Sequence, residues 1–375
     1  VGLVTAGLPD FPWDTLAPHA ERARAHPDGI VDLSVGTPVD PTPAVVREAL
    51  AAAADAPGYP TTHGTPALRE AAVAWLARRR GAPGVDPAAV LPTVGSKELV
   101  ASLPSLLGLG PGDVVVHPEV AYPTYDVGAR LAGATALPAD DVGAWARRRD
   151  VRLVWLNSPS NPTGRVLGVD ELRAVVTAAR ASGAVVASDE CYGLLAWEEP
   201  WATHGVPSVL DPRVCDGDHT GLLVVQSLSK QSNLAGYRAG FVAGDPRLVA
   251  SLLEVRKHAG MMVPAPVQAA AAAALADDAH VVEQLARYRR RRAVLREALE
   301  TAGYVVEGSA AGLYLWVRAP GVGQDGWRTV ADLAELGILV APGAFYGPSG
   351  ARHVRVALTA TDDDIARAAA RLTGA

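Results

Sequence analysis

The sequence predicts an α/β protein: a large domain built on a mostly parallel sheet with helices on both faces, joined to a smaller α+β domain. Three observations carry the prediction. Short unbroken apolar runs alternate with amphipathic, Ala-rich stretches through the middle of the chain, and strands buried on both faces read as continuous runs rather than as alternation. At 375 residues the chain is longer than the roughly 250–300 residues at which a single core stops growing. The texture changes after about residue 275, where strands and helices mix less regularly.

In chain order, the first 40 residues are rich in Pro and Gly and are expected to pack onto the smaller domain. Residues 41–275 form the large domain. Its strands are expected at Val114–Val116, Leu153–Leu156, Ala184–Ala187 and Leu222–Gln226, and helices at Ser96–Leu107 and Val169–Ala181. The Ala-rich stretch Gln268–Ala279 leads into a long helix, Val281–Ala302, stopped by Gly303. Strands at Leu313–Val317, Gly337–Val340 and His353–Leu358 belong to the smaller domain, which takes residues 1–40 and 276–375.

Composition closes off several function classes. The net charge is −6 and the pI about 5.9, whereas a nucleic-acid binder shows a basic face. The longest basic run, Arg289–Arg292, falls inside the long helix and reads as a solvated face. Two cysteines, Cys191 and Cys215, form neither a disulfide framework nor a CxxC site, and a reducing cytoplasm is the natural setting. No apolar run approaches the ~18 residues of a membrane span. Val1–Phe11 lacks the basic and apolar regions of a signal peptide. There is no GxxxxGK loop, HExxH helix or GxSxG elbow, and the histidines lack ligand spacing, so no metal is expected.

Four segments carry chemistry. Lys230 follows the apolar run Leu222–Gln226 and the serines Ser227 and Ser229, with Arg238 eight residues on. Ligands of open α/β sheets bind at the carboxyl ends of strands. An amine there suits Schiff-base chemistry, and hydroxyls with a guanidinium suit a phosphate. Asp189 closes the run Ala184–Ala187 and is followed by Tyr192; a carboxylate there pairs with a protonated ring nitrogen, or serves as a helix N-cap. Asn161 sits in the turn Asn157–Gly164 as a fixed amide donor. Gly95, Ser96 and Lys97 open a helix whose free N–H groups suit phosphate, or make an ordinary helix start.

Together these segments resemble the class I/II aminotransferases of fold-type I, and the resemblance runs almost end to end. It includes Gly36-Thr37-Pro38, Tyr59 with Gly64 and Leu68-Arg69, Tyr122-Pro123-Thr124-Tyr125, Asn161-Pro162-Thr163-Gly164 and His353-Val354-Arg355-Val356. It implies a seven-stranded sheet and pyridoxal 5'-phosphate as cofactor. Lys230 would carry the cofactor and move the Cα proton. Asp189 would hold the ring nitrogen, Tyr192 and Asn161 the ring oxygen, and Tyr122 would stack on the ring. Gly95, Ser96, Lys97, Ser227, Ser229 and Arg238 would surround the phosphate. Gly36, Asn161 and Arg355 would hold the substrate, with Arg355 on its α-carboxylate. Tyr59 would reach the cofactor of a second subunit, which implies a homodimer.

The substrate rests on resemblance alone. Lys97 resembles a lysine that receives a distal carboxylate. Leu8–Asp14, Asp218–Gly221 and Arg256–Pro264 look similar to actinobacterial succinyldiaminopimelate aminotransferases, which implies glutamate as donor and a role in lysine and diaminopimelate synthesis. Arg165, Arg256 and Lys257 are then expected near further carboxylates. The alternatives are an aspartate, alanine or aromatic aminotransferase of broad range, or a carbon–sulfur lyase on the same scaffold. A regulator with an aminotransferase-like half is disfavoured, because residues before Gly36 leave no room for a winged helix.

Overall fold

The computed structural model describes residues 7–321, 323 and 325–374. Residues 1–6, 322, 324 and 375 of the expected small domain lie outside the described residues, as does the first half of the segment read as lacking a signal peptide.

A short strand β1 (Val31–Asp32) precedes the large sheet. The sheet comprises β2 (Val90–Val94), β3 (Val114–His117), β4 (Thr135–Pro138), β5 (Val151–Asn157), β6 (Val185–Asp189), β7 (Leu222–Ser227) and β8 (Ala239–Gly244). Its order is β2-β8-β7-β6-β5-β3-β4. All neighbours are parallel except β8, which runs antiparallel to both β2 and β7. Side chains alternate between the faces of a strand, and both faces are apolar. On β5, Val154 and Leu156 pack with the helix Val169–Ser182, while Leu153 and Trp155 pack with Leu99, Leu103 and Tyr125 on the other side. That double burial is why the strands read as unbroken apolar runs.

Local signals set the helix ends. Val169–Ser182 starts where Glu171 accepts the Gly168 N–H at 2.8 Å, and stops at Gly183, whose φ of +75° continues no helix. The long helix spans Ala279–Thr301. Its basic run is not the solvated face expected. Arg291 is 4 % exposed and bonds Asp40 through both Nη atoms (2.8 and 2.6 Å) and Asp362 through Nε (2.6 Å). The helix turns Arg291 inward and half-buries Arg292 against Glu198 at 2.6 Å, while Arg289 and Arg290 stay exposed.

The remaining strands are β9 (Val305–Glu307), β10 (Tyr314–Arg318), β11 (Ile338–Leu339), β12 (Ala341–Pro342) and β13 (His353–Ala357). They form an antiparallel sheet in the order β12-β13-β10-β9, while β11 pairs in parallel with β1. The strand expected over Gly337–Val340 is reduced to β11, and the four-stranded sheet takes the next two residues, β12, instead. Leu16, Ala20, Val31 and Leu33 from the start of the chain share a core with Leu315, Val330, Leu333 and Ile365. Among the described residues no helix is long and apolar enough to cross a membrane.

Candidate active site

Sheet direction decides where the polar side chains collect. The six parallel strands end at one rim, and β8, reversed, begins there. Val94, Asn157, Asp189 and Ser227 close β2, β5, β6 and β7, and Arg238 stands one residue before β8. Register fixes their neighbours: Asn157 lies opposite Asp189, and Ser227 opposite Gly240. A cavity of about 520 Å³ opens at this rim. Gly36, Ser96, Lys97, Tyr122, Asn161, Asp189, Tyr192, Ser227, Ser229, Lys230, Arg238 and Arg355 line it. Gly95 stands just behind, against Arg238, and Tyr59 lies elsewhere on the surface, 96 % exposed.

One end of the cavity is built for an anion. The helix Gly95–Leu106 starts here with no side-chain cap, so its first N–H groups are open. Gly95 has φ +74°, and a Cβ on it would fall 2.7 Å from Arg238 Cζ, so only glycine lets the guanidinium lie across the helix start. Arg238 donates to Ala235 O at 2.8 Å and Val94 O at 3.4 Å, both carbonyls. Beside it the Ser227 hydroxyl donates to Ser229 Oγ at 2.9 Å.

The middle holds a buried carboxyl. Asp189 is 5 % exposed. Its Oδ2 accepts from the Tyr125 hydroxyl at 2.9 Å and its Oδ1 from Cys191 N–H at 3.2 Å. Burial pushes its pKa above the ordinary carboxylate value, against the pull of those bonds. The residues after it form a turn, not a helix, so the N-cap alternative falls away. Asn157 Nδ2 donates to Asp189 O at 3.0 Å, and Asn157 Oδ1 accepts from Asn161 N at 2.7 Å, which ties the Asn161 turn to the strand end. Burial pushes the Tyr192 phenol well up, so it remains a donor at neutral pH; its hydroxyl meets that of Tyr314 at 3.2 Å. Tyr122 stands edge-on to Tyr125, ring centroids 6.0 Å apart.

Lys230 and Arg355 complete the cavity. Lys230 Nζ donates to Gly36 O, and its own carbonyl accepts from the Tyr288 hydroxyl at 3.2 Å. Arg355 is 2 % exposed. It donates to Asn161 Oδ1 (3.0 Å) and Ser34 O (2.6 Å), and its Cζ lies 3.9 Å from the Tyr314 ring centroid. Its Nε, also buried, has no partner among the described residues.

Tyr125, Tyr314, Cys191, Phe11 and Trp13 also line the cavity, and sequence reasoning gave them no role. Tyr125 closes the motif Tyr122-Pro123-Thr124-Tyr125, three residues from Tyr122. Phe11 and Trp13 reach the rim from the start of the chain, where Lys97 Nζ stands 5.6 Å from the Phe11 ring. The basic residues expected near further carboxylates are occupied elsewhere. Arg256 is fully buried in a two-pronged pair with Glu98 (2.8 and 3.1 Å), Lys257 pairs with Glu254 at 2.7 Å and Arg165 with Glu171 at 2.5 Å. None of the three lines this cavity.

A buried carboxyl with only neutral partners and a buried guanidinium bound only to neutral oxygens are both costly alone, and a ligand carrying the complementary charges relieves them. With the Lys230 amine and the Arg238 end of the cavity alongside, the charges and donors on the rim are of the kind that pyridoxal 5'-phosphate takes. The class is that of the pyridoxal-phosphate enzymes of fold-type I.

The particular family follows from comparison. The model for "Aminotransferase class I and II" matches residues 28–372, and the chain belongs to that family. It is 60% identical over 369 residues to the 4-dedimethylamino-4-oxo-anhydrotetracycline transaminase of Streptomyces rimosus, covering 98% of this chain and 99% of that one. It is 63% identical over 373 residues to a probable aminotransferase of Mycobacterium tuberculosis, covering 99% and 87%. A probable N-succinyldiaminopimelate aminotransferase from Thermus thermophilus superposes with a TM-score of 0.85 at 30% identity, covering 97% of this chain and 100% of that one. The protein is a pyridoxal-phosphate-dependent aminotransferase.

Proposed function

We propose that this enzyme moves the amino group of glutamate onto N-succinyl-2-amino-6-oxopimelate, in diaminopimelate and lysine synthesis. The observation that carries the reading is charge placement. Arg355, Lys230 and Arg238 are engaged by the groups every substrate and cofactor brings, and Lys97 is the remaining cation on the cavity wall, set to receive a distal carboxylate. The likeness to the Thermus thermophilus protein supports the same substrate.

In this reading residues 41–275 hold the cofactor, and residues 1–40 with 276–375 carry Arg355. Bound pyridoxal 5'-phosphate supplies a carbonyl that captures amines and a ring that takes up electrons when the Cα proton leaves. The chain supplies the rest. Arg355 grips the α-carboxylate in a two-pronged bond, which fixes the Cα–H direction. Lys230 Nζ would take that proton as a general base and return it to the cofactor as a general acid. Asp189, ionised beside the protonated ring nitrogen, keeps that charge in place. Tyr192 and Asn161 donate to the ring oxygen, and Tyr122 covers the ring face. The backbone N–H groups of Gly95, Ser96 and Lys97 with Ser227, Ser229 and Arg238 form the phosphate wall, which leaves the Lys97 ammonium for the distal carboxylate. Gly36 accepts from Lys230 while the amine is free.

Tyr59, exposed on the single chain, is placed against the phosphate of a second copy, making a homodimer. The two free cysteines fit a reducing, cytoplasmic setting. A second reading, a broad aminotransferase taking aromatic or polycyclic partners, is favoured by Phe11 and Trp13 at the cavity mouth and by the tetracycline-pathway relative. The Lys97→Ala variant separates them. The diaminopimelate reading predicts a larger loss in kcat/KM for glutamate and the succinylated substrate than for alanine or phenylalanine; equal losses across all four contradict it.

A further inference from the structure

Behind the cavity lies an ion pair that the chemistry above does not use. Arg80, the last residue of the helix Pro66–Arg80, meets Glu190 at 3.0 Å, and each side chain is 1% exposed. Glu190 also accepts from Gln226 Nε2 (3.2 Å), Ser208 Oγ (3.0 Å) and Val209 N (2.8 Å). Arg80 Nη1 donates to Gly193 O (2.9 Å) and Val206 O (3.0 Å). Gly193 makes room for it: a Cβ there would lie 2.6 Å from Arg80 Nη2.

The geometry gives this pair a specific reach. On β7, Gln226 follows Leu222 and Val224 on one face, and Ser227 follows Leu223 and Val225 on the other. On β6, Asp189 follows Ala187 on the second face, so Glu190 emerges on the first. The Glu190 N–H also bonds Val225 O at 3.0 Å. One buried anion therefore fastens the ends of two adjacent strands from below, while the residues flanking Glu190 and Gln226, Asp189 and Ser227, face the cavity above. The turn Glu190–Gly193, closed by Gly193 N–H to Glu190 O at 2.9 Å, carries Tyr192.

We propose that Arg80, Glu190 and Gln226 are positioning residues for the cofactor site, holding Asp189, Tyr192 and Ser227 at fixed relative height through the backbone of β6 and β7. A buried charge held by this many bonds tolerates little displacement, and the next residues inherit that rigidity. The proposal rests on Asp189 facing the ring nitrogen.

The test uses Gln226→Leu, which spares the ion pair and hence the fold, with Glu190→Gln, Arg80→Lys and Arg80→Met. For each, three quantities are measured: pyridoxal phosphate affinity of the apoprotein, the pH dependence of the bound cofactor's visible band, and the apoprotein melting temperature. Positioning predicts about tenfold or more weaker cofactor binding, as for other residues that orient a primary ligand, together with a displaced band midpoint. Arg80→Lys should retain more of both than Arg80→Met. Wild-type affinity and band midpoint in Gln226→Leu and Glu190→Gln, with only the melting temperature lowered, would overturn it. Asp189→Asn is measured alongside. If its band is unchanged, the ring-nitrogen placement falls and the positioning role with it. If its band moves while those of the other four do not, the positioning role alone falls.

Discussion

Asp189 and Arg355 face the same cavity from 5 % and 2 % exposed positions, and each has measurable consequences. Removing Arg355 takes away the contact common to every amino acid. Losing one partner of a buried charged bond costs about 2–5 kcal/mol. Arg355→Ala should therefore lower kcat/KM at least about thirtyfold, with KM raised for every amino acid in a panel. A KM unchanged across that panel would contradict its role. Asp189 bears on pH. Its folded pKa is raised by burial, so between the unfolded and folded values the folded apoprotein keeps a proton that the unfolded chain has lost. Stability of the apoprotein then falls as pH rises through that window and is fully recovered below the unfolded value. Pyridoxal phosphate brings a positive ring nitrogen and cancels this cost. Cofactor should thus raise the melting temperature more above the carboxylate range than below it, and the difference should shrink in Asp189→Asn. A cofactor effect independent of pH in both proteins would contradict the assignment. Single residues were unevenly legible in the sequence. Lys230, Asp189 and Asn161 stood beside strong local signals, a strand end or a Pro-bounded turn. Tyr314 and Phe11 carry no such signal, because only the meeting of distant segments brings them to the rim.

The elements were read most securely where physics is local. β5, β6 and β7 are buried at nearly every position because both faces are covered, and their ends were correct to within two residues. The long helix was equally plain from its period, but the inward turn of Arg291 toward Asp40 depends on a partner about 250 residues away. The break between β11 and β12 had no signal either, since β11 takes its partner from β1 at the start of the chain. The junction of β2 with the helix Gly95–Leu106 offers a test at this scale. Alanine at Gly95 meets a left-handed backbone, worth roughly 1–2 kcal/mol, and displaces Arg238. Gly95→Ala should weaken pyridoxal phosphate binding more than it lowers the apoprotein melting temperature would suggest, with the loss reproduced in Arg238→Ala and little added in the double variant. Independent, additive losses would separate the two residues.

At the scale of the molecule, one core lies on either face of the seven-stranded sheet and another beneath the four-stranded one, and the cavity lies where their elements meet. The family model spans both. Tyr59, 96 % exposed far along the chain from Lys230, has its proposed place only in a homodimer. Sedimentation should show a dimer, and Tyr59→Phe should weaken cofactor binding while leaving the dimer intact. A monomer with full cofactor affinity would contradict both statements. The substrate was the least legible property, since Arg256, Lys257 and Arg165 promise basicity in the sequence yet spend it on Glu98, Glu254 and Glu171.

The most direct measurement is the half-reaction of the purified, cofactor-loaded enzyme. Its visible band is recorded while glutamate, N-succinyl-diaminopimelate, aspartate, alanine and phenylalanine are added one at a time, with Lys230→Ala as control. Conversion of the band by glutamate and by N-succinyl-diaminopimelate, each releasing its oxo acid, and no turnover in the control, is the predicted result. A band that glutamate and N-succinyl-diaminopimelate leave untouched while aspartate or phenylalanine converts it would contradict the proposed substrate, and turnover at the wild-type rate in Lys230→Ala would contradict the account of the site itself.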